Sequence, residues 1–391
     1  MKAHWATKAL AAIALPASLL IAGGATAAAS AGGGTRTAQL TVRHVLNGMK
    51  LHHSFTPAGG GKKTESLTQP DDITAIGLDL FTAFQNGVGS QGEPSSDGNT
   101  DSTVVEFSLS GQVLGQWDLK GKVDGLTADP ARNIVIATVN EDLNSSLYTI
   151  EATPRTGAVQ HYTYNKPLPH NGGTDAISIV GGQIVVSASA PGTIGKPAPQ
   201  PTYPAAYTVT LRRSHVAAVA PVFFDEAQAT VANTGPSHGK RVKLALTDPD
   251  SNSVVPAFAS RFAGDFMLTS QADKQQIFAQ RTAAGDLKLQ VLNLSQSVDD
   301  TAWSGAANEL LFATDATADF VDVVTGQFAP RSVVTAVTPC DAANAPVTCP
   351  APGFPPNYLG SLNPRTGHVS HLTLTGPRLE PKGLVFIAPP A

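Results

Sequence analysis

The sequence predicts an all-β fold of the β-propeller type. Three observations carry that prediction: few charges with many chain breakers, a recurrence of Asp-led apolar runs about every fifty residues, and Gly turns between alternating strands. Charged residues make up 14% of the 391 positions, against roughly 25% in an average soluble chain. The chain also holds 36 Gly and 29 Pro. Long amphipathic helices are thereby disfavoured, because their solvent faces need Glu, Lys and Arg and tolerate few breakers. An apolar content of 42% can fill a core and argues against a disordered chain. The formal net charge is −4, and the basic residues are scattered, so the electrostatic footprint of a nucleic-acid binder is missing.

Residues 1–31 read as a secretory signal. Lys2 and Lys8 form a positive start, Ala9 to Ala22 is apolar apart from Pro16 and Ser18, and small residues follow. Ala25-Thr26-Ala27 and Ala29-Ser30-Ala31 both satisfy the small-residue cleavage pattern, with cleavage expected near Ala31. The alternative, an uncleaved anchor, has an apolar stretch shorter than the ~20 residues that span a bilayer. The expectation is a secreted, extracellular, soluble monomer with no membrane span after signal removal. Residues 32–391 then form one propeller domain, with an insertion at about 331–357. The only cysteines, Cys340 and Cys349, are expected to pair across a local loop in an oxidising compartment. Closing so short a loop contributes about 2–3 kcal/mol.

The recurrence is read from Asp72, Asp124, Asp175 and Asp225, separated by 52, 51 and 50 residues, each followed by a β-rich run. Asp300 opens a further run that continues to Leu310–Thr314, Phe258–Phe262 with Phe266–Thr269 resembles one without the leading Asp, and Gly383–Ile387 ends the series. Gly111, Gly157, Gly326 and Gly367 supply the positive φ that tight turns demand. A repeat of that length with about four strands buries its faces only against its neighbours, which is the logic of a propeller blade. Counting inner strands predicts seven blades, or six if residues 225–300 form one blade with an insertion. The last inner strand lies near the chain end, so amino-terminal strands at Leu40–Leu46 and Lys50–Phe55 are expected to complete its blade and close the ring. Trp117 and Trp303 lie in strand-like runs and are expected in blade cores.

At Asp124-Gly125-Leu126-Thr127-Ala128-Asp129-Pro130 the chain resembles the G-L-x-x-D-P signature of NHL-type and lactonase-like (SMP-30) propellers. Its Pro-Arg-Thr-Gly turns at residues 154–157 and 364–367 are similar to those of YVTN-type propellers. The lactonase resemblance implies a divalent metal in the central channel, held by Glu, Asn and Asp at inner-strand ends. Here Asp stands where that family begins an inner strand with Glu.

Asp72, Asp124, Asp175 and Asp300 are expected to converge at one channel mouth. Several carboxylates around one axis repel unless a cation or donors compensate them, so a divalent cation such as Ca²⁺ is one expectation. The other is that each Asp accepts hydrogen bonds from its own loop backbone. His170 with Asp175, in the segment His170-Asn171-Gly172-Gly173-Thr174-Asp175, forms the candidate catalytic pair, with the imidazole as base or ligand and the carboxylate orienting it. The acidic runs Asp97–Asp101 and Asp248–Asn252 lack the Gly and Glu of a calcium loop and are expected to be solvated turns. There is no nucleophile elbow, zinc-binding helix, phosphate loop or dinucleotide fingerprint. The first functional expectation is therefore a propeller offering a loop-lined face to a small molecule or an extracellular protein. The alternative is a metal-dependent, lactonase-like hydrolase or lyase using the channel-mouth carboxylates.

Overall fold

Antiparallel strands joined by short turns make up nearly all the regular structure of the computed structural model, which describes residues 39–152, 157–168, 172–189, 203–345 and 355–389. Only single 3-10 turns interrupt them, and none of the described helices is long and apolar enough to cross a membrane. The proposed signal, residues 1–31, lies outside the described residues.

Among the described residues, most strands belong to six four-stranded antiparallel units. Unit I runs outward from the channel through Pro70–Ile76, Asp79–Phe84, Asp101–Phe107 and Val113–Lys120. Unit II is Val123–Asp129, Ile134–Val139, Ser146–Glu151 and Val159–Tyr164. Unit III is Thr174–Val180, Gln183–Ala188, Pro204–Arg212 and Val216–Phe224, and its first hairpin turns on Gly181 and Gly182 at φ +58° and +82°. Only Gly populates that conformation without cost, which fixes the register of the pair. Unit IV is Pro249–Val254, Phe266–Ser270, Gln275–Arg281 and Leu287–Asn293, and unit V is Val298–Trp303, Val333–Val337, Tyr358–Leu362 and Val369–His371. Unit VI takes its inner strand, Leu384–Ile387, from the end of the chain and its outer strand, Leu40–Asn47, from the beginning. Between them lies the hairpin Leu310–Asp315 and Phe320–Thr325.

Each inner strand packs against the next, and Leu384–Ile387 packs against Pro70–Ile76, so the ring is closed. Six hydrophobic clusters fill the six junctions between units. Phe81 and Trp117 of unit I pack with Val135 and Ile150 of unit II, Met267 and Phe278 of unit IV with Trp303 and Val333 of unit V, and Phe312 and Val323 of unit VI with Phe84 and Phe107 of unit I. Both Trp117 and Trp303 are core residues, as the sequence suggested. No unit buries both of its faces alone, which is why the repeat persists around the whole ring.

Three expectations need correction. Among the described residues the strands make six units, the alternative count, because Asp225 does not open an inner strand: it follows the outer strand of unit III and caps the Tyr203 amide at 2.8 Å. The strand after it, Gln228–Val231, runs parallel to the outer edge of unit IV, and Phe258–Phe262 lies in turns. Secondly, Lys50–Phe55 does not join unit VI; His52–Phe55 pairs with Lys63–Ser66 in a separate hairpin. Thirdly, Asp300 and Leu310–Thr314 belong to different units. After the inner strand of unit V the chain crosses to build the middle of unit VI, then returns to finish unit V. The six residues between Trp303 and Leu310 make that crossing possible, where a two-residue turn would have held the strands together. The segment 331–357, expected as an insertion, includes the unit V strand Val333–Val337.

Candidate functional site

The inner strands share a local defect that creates the site. In units I to V the pairing with the second strand slips by one residue near the start, between Pro70 and Ile73, Val123 and Leu126, Thr174 and Ile177, Pro249 and Asn252, and Val298 and Thr301. In unit VI, Lys382 and Gly383 together oppose Thr314, which bonds to both of their backbones. A bulge of this kind re-aims side chains at the rim of a closed sheet. The first bulge residues are Asp71, Asp124, Asp175, Asp250, Asp299 and Lys382, and all six line one cavity of about 760 Å³ at the channel mouth. The ring thus consists of five carboxylates and one ammonium.

The second bulge residue does different work. In units II, III, IV and VI it is small: Gly125, Ala176, Ser251 and Gly383. A Cβ on Gly125 would lie 2.6 Å from the Asp175 carbonyl oxygen, and one on Gly383 would lie 2.7 Å from that of Asp71, so the neighbouring backbone enforces the choice. Each of these units carries a buried hydroxyl opposite the bulge: Thr138, Ser187, Thr269 and Thr314. In units I and V the second residue is Asp72 or Asp300, and its carboxylate spans the junction. Asp72 Oδ1 accepts from Ile73 N at 2.7 Å and Oδ2 from Leu126 N at 2.6 Å. Asp300 repeats this with Thr301 N at 2.6 Å and Leu384 N at 2.8 Å. These two carboxylates are clamps between adjacent units.

The four aspartates singled out by sequence therefore line one cavity but belong to two classes. Asp124 and Asp175 are ring members, whereas Asp72 and Asp300 satisfy backbone amides. Their ring counterparts are Asp71 and Asp299, one residue earlier, and a two-residue bulge bearing Asp-Asp gives no sequence cue to which of the two faces the axis. Asp248–Asn252, expected as a solvated turn, enters the inner strand of unit IV and supplies Asp250 to the ring. Its Pro249 obscured the strand, although Pro is tolerated at a strand's first residue. Asp97–Asp101 does lie in a turn that leads into a strand, with Asn99 Oδ1 accepting from Asp101 N at 2.9 Å. His170 and Cys349 lie outside the described residues, so neither the His170–Asp175 pair nor the Cys340–Cys349 loop is described; Cys340 sits in the 3-10 turn Pro339–Asp341.

Lys382 Nζ lies 3.1 Å from Asp299 Oδ2 and 3.8 Å from Asp71 Oδ1, bridging its neighbours on both sides. Lys122 Nζ reaches Asp124 Oδ1 at 2.8 Å and Glu141 Oε1 at 2.5 Å. Attraction from Asp299 and Asp71 outweighs burial and holds the Lys382 ammonium well above the usual lysine range. Burial opposes the charge of Lys122 more strongly, but Asp124 and Glu141 still raise its proton affinity. The carboxylates shift the other way. Burial pushes Asp71 up to about 6 and Asp248 to about 6, with Lys382 and the Ala272 amide respectively opposing. Burial likewise raises Asp300 to about 7 against its two amide bonds, and it holds Asp124, Asp175 and Asp250 well above the carboxylate range.

A divalent cation does not fit the donors as they stand. Among the described residues no three His, Cys, Asp or Glu side chains come together as a cation cage. The oxygens of Asp72 and Asp300 are taken by amides, and Lys382 and Lys122 compensate Asp299, Asp71 and Asp124.

Ladders, junction clusters and cavity together define a six-unit β-propeller with an acidic channel mouth. No family model and no curated protein matches the chain. Among solved structures, a periplasmic gluconolactonase from Pseudomonas aeruginosa is 13% identical, with 90% of this chain and 100% of that one covered and a TM-score of 0.44. A candidate 6-phosphogluconolactonase from Bacteroides fragilis is 12% identical, with 91% and 99% covered and a TM-score of 0.43. The β-propeller domain of Cps50 (Swd1) from Myceliophteria thermophila is 10% identical, with 87% and 98% covered and a TM-score of 0.36. At such identities none of them assigns a substrate or a residue role to this chain.

Proposed function

We propose that the chain is an exported β-propeller that captures a small polar molecule at its carboxylate-lined channel mouth. The observation that carries this reading is the ring of five first-bulge aspartates and Lys382 around a 760 Å³ cavity. That volume lies within the range of small-molecule sites, roughly 300–1,000 Å³. A ring conserved in position through six units, each time at a costly bulge, is more than the strand pairing itself requires. Export rests on the signal-like residues 1–31. The test is a direct one: calorimetry with a panel of neutral, cationic and anionic small molecules, on the wild type and on Asp175→Asn. Saturable binding that the variant weakens supports the reading, and no binding by any class overturns it.

A second reading, lactone hydrolysis, is favoured by the proton affinities at the mouth. Asp71, pushed up to about 6, and Asp175 and Asp250, held well above the ordinary carboxylate range by burial, line one cavity and put carboxylate and carboxylic acid forms around it near neutral pH. A carboxylate there would take a proton from a water attacking the ester carbonyl, and a neighbouring acid would protonate the departing oxygen. Hydrolysis of gluconolactone above the spontaneous rate, lost in Asp71→Asn, would support this reading.

A further inference from the structure

We propose that the molecule taken at the channel mouth is a small organic polycation, a linear chain with two or more alkylammonium groups. This rests on the reading of the mouth as a binding site and names the chemistry of its ligand. The first support is charge. Nine Asp and Glu side chains line the cavity against two lysines, and each lysine is already shared between two carboxylates. An anionic ligand would meet acidic side chains around most of the axis and would raise their proton affinity further, whereas a cationic one lowers it.

The second support extends beyond the ring, to Asn252 and Ser178. Buried acceptors lining the same cavity lack donors: Asp124 Oδ2, on a residue 6% exposed, and Asn252 Oδ1, on a residue 8% exposed. Asn252 Nδ2 donates to the Ala176 carbonyl at 2.8 Å, which fixes the amide and leaves its oxygen as the free end. Ser178 Oγ, buried in the adjacent unit, is also unpartnered. An amide oxygen can only accept, and so can a carboxyl once ionised, so what they lack is a donor. An ammonium group offers three donors and no acceptor. Two or more such groups on a flexible chain would meet separate acceptors around the axis. Binding would also make ionisation of the ring easier, so the carboxyl groups that hold protons near neutrality would release them.

The experiment is titration calorimetry with spermidine at pH 6.5 and low salt, in buffers of different ionisation enthalpy, with sorbitol, gluconolactone and a trilysine peptide as parallel arms. Spermidine is expected to bind saturably, to release protons, and to weaken tenfold or more in 0.3 M salt. Asp124→Asn should weaken it at least tenfold, while the distant surface variant Asp97→Asn leaves it unchanged. If Asp124→Asn fails to fold, as judged by circular dichroism, Asp250→Asn takes its place. Binding of sorbitol or gluconolactone without spermidine would overturn the cationic assignment and leave the binding reading intact, whereas silence in every arm would overturn both. Trilysine binding more tightly than spermidine would overturn the small-molecule assignment in favour of a lysine-bearing protein. Spermidine affinity equal in wild type and Asp124→Asn would place the amine elsewhere on the surface and overturn the proposal.

Discussion

Lys382 Nζ lies 3.1 Å from Asp299 Oδ2 at the junction of units V and VI, and in the ring it takes the place that aspartate holds in every other unit. Removing that ammonium sets the Asp299 and Asp71 carboxylates together with no charge between them. Lys382→Met is expected to destabilise the fold by about 1–2 kcal/mol at pH 7. That is less than the ~3–5 kcal/mol of a broken, fully buried pair, because the Lys382 side chain keeps 34% exposure. The loss should shrink at pH 5, where Asp71, pushed up to about 6 by burial, takes up a proton, and urea unfolding at the two pH values reads it.

The clamps predict a different signature. Asp300→Ala leaves the amides of Thr301 and Leu384 without acceptors inside the channel wall. At about 1–3 kcal/mol for each of the two buried unsatisfied groups, the variant should lose roughly 2–6 kcal/mol. Asp72→Ala should match it through Ile73 and Leu126. Asp175→Asn, at a ring position, should cost less than either. Thermal unfolding of the three variants side by side checks the ranking, and a ring variant that costs as much as a clamp would refute the division.

That division marks the limit of what the sequence makes legible. The all-β class, the repeat, the junction tryptophans and the closing role of Leu40–Leu46 follow from composition and period, because stacked units need apolar strands and turns wherever they occur. The count failed where spacing was the only guide: Asp225 keeps the fifty-residue beat but caps a loop, while Asp250 breaks it and belongs to the ring. Asp71 and Asp299 went unseen because register inside a bulge is set by tertiary pairing. Lys382 carried the opposite charge, so no search for recurring Asp could find it. A signal was nevertheless present, since Thr or Ser faces the bulge in units whose second residue is small, as with Gly125 and Thr138 or Ala176 and Ser187.

The raised carboxyl pKa values fix a direction for stability against pH. Asp71 and Asp248 near 6 and Asp300 near 7 bind protons more tightly folded than unfolded, where Asp titrates near 4. Their contribution is fully present below about pH 4 and is lost as pH rises through 6 to 7. The melting temperature should therefore fall between pH 5 and pH 8. Asp71→Asn and Asp248→Asn should each flatten that slope, as differential scanning fluorimetry would record.

His53 adds to the same slope from outside the channel. Its ring is buried under the hairpin of His52–Phe55 and Lys63–Ser66, with Nε2 2.9 Å from Glu65 Oε1 and Nδ1 3.4 Å from Asp118 Oδ1. Burial alone would lower its proton affinity, but the two carboxylates overcome that and raise it above 6.5. The stabilisation is complete below pH 6.5 and disappears as pH climbs through the higher folded value. His53→Gln should make the hairpin insensitive to pH in this window. The readout is proteolysis within residues 56–62, which in the wild type should quicken above neutral pH and in the variant should be fast throughout.

The crossed connection between units V and VI makes a prediction about cooperativity. Unit V cannot receive Val333–Val337 until the chain has passed through Leu310–Asp315 and Phe320–Thr325 of unit VI, and unit VI lacks its inner strand until Leu384–Ile387 arrives after unit V is finished. Each unit thus holds the other's chain in place, and their shared cluster of Ala302, Leu311, Val334 and Leu384 is buried only when both are complete. Native-state hydrogen exchange should find the amides of Val333–Val337 and Leu310–Asp315 opening with one free energy, as a single cooperative block. A chain ending at Pro381 should lose protection in both strands together, although Val333–Val337 does not pair with the deleted segment. Retained protection of Val333–Val337 in that shortened chain would show that the two units stand independently.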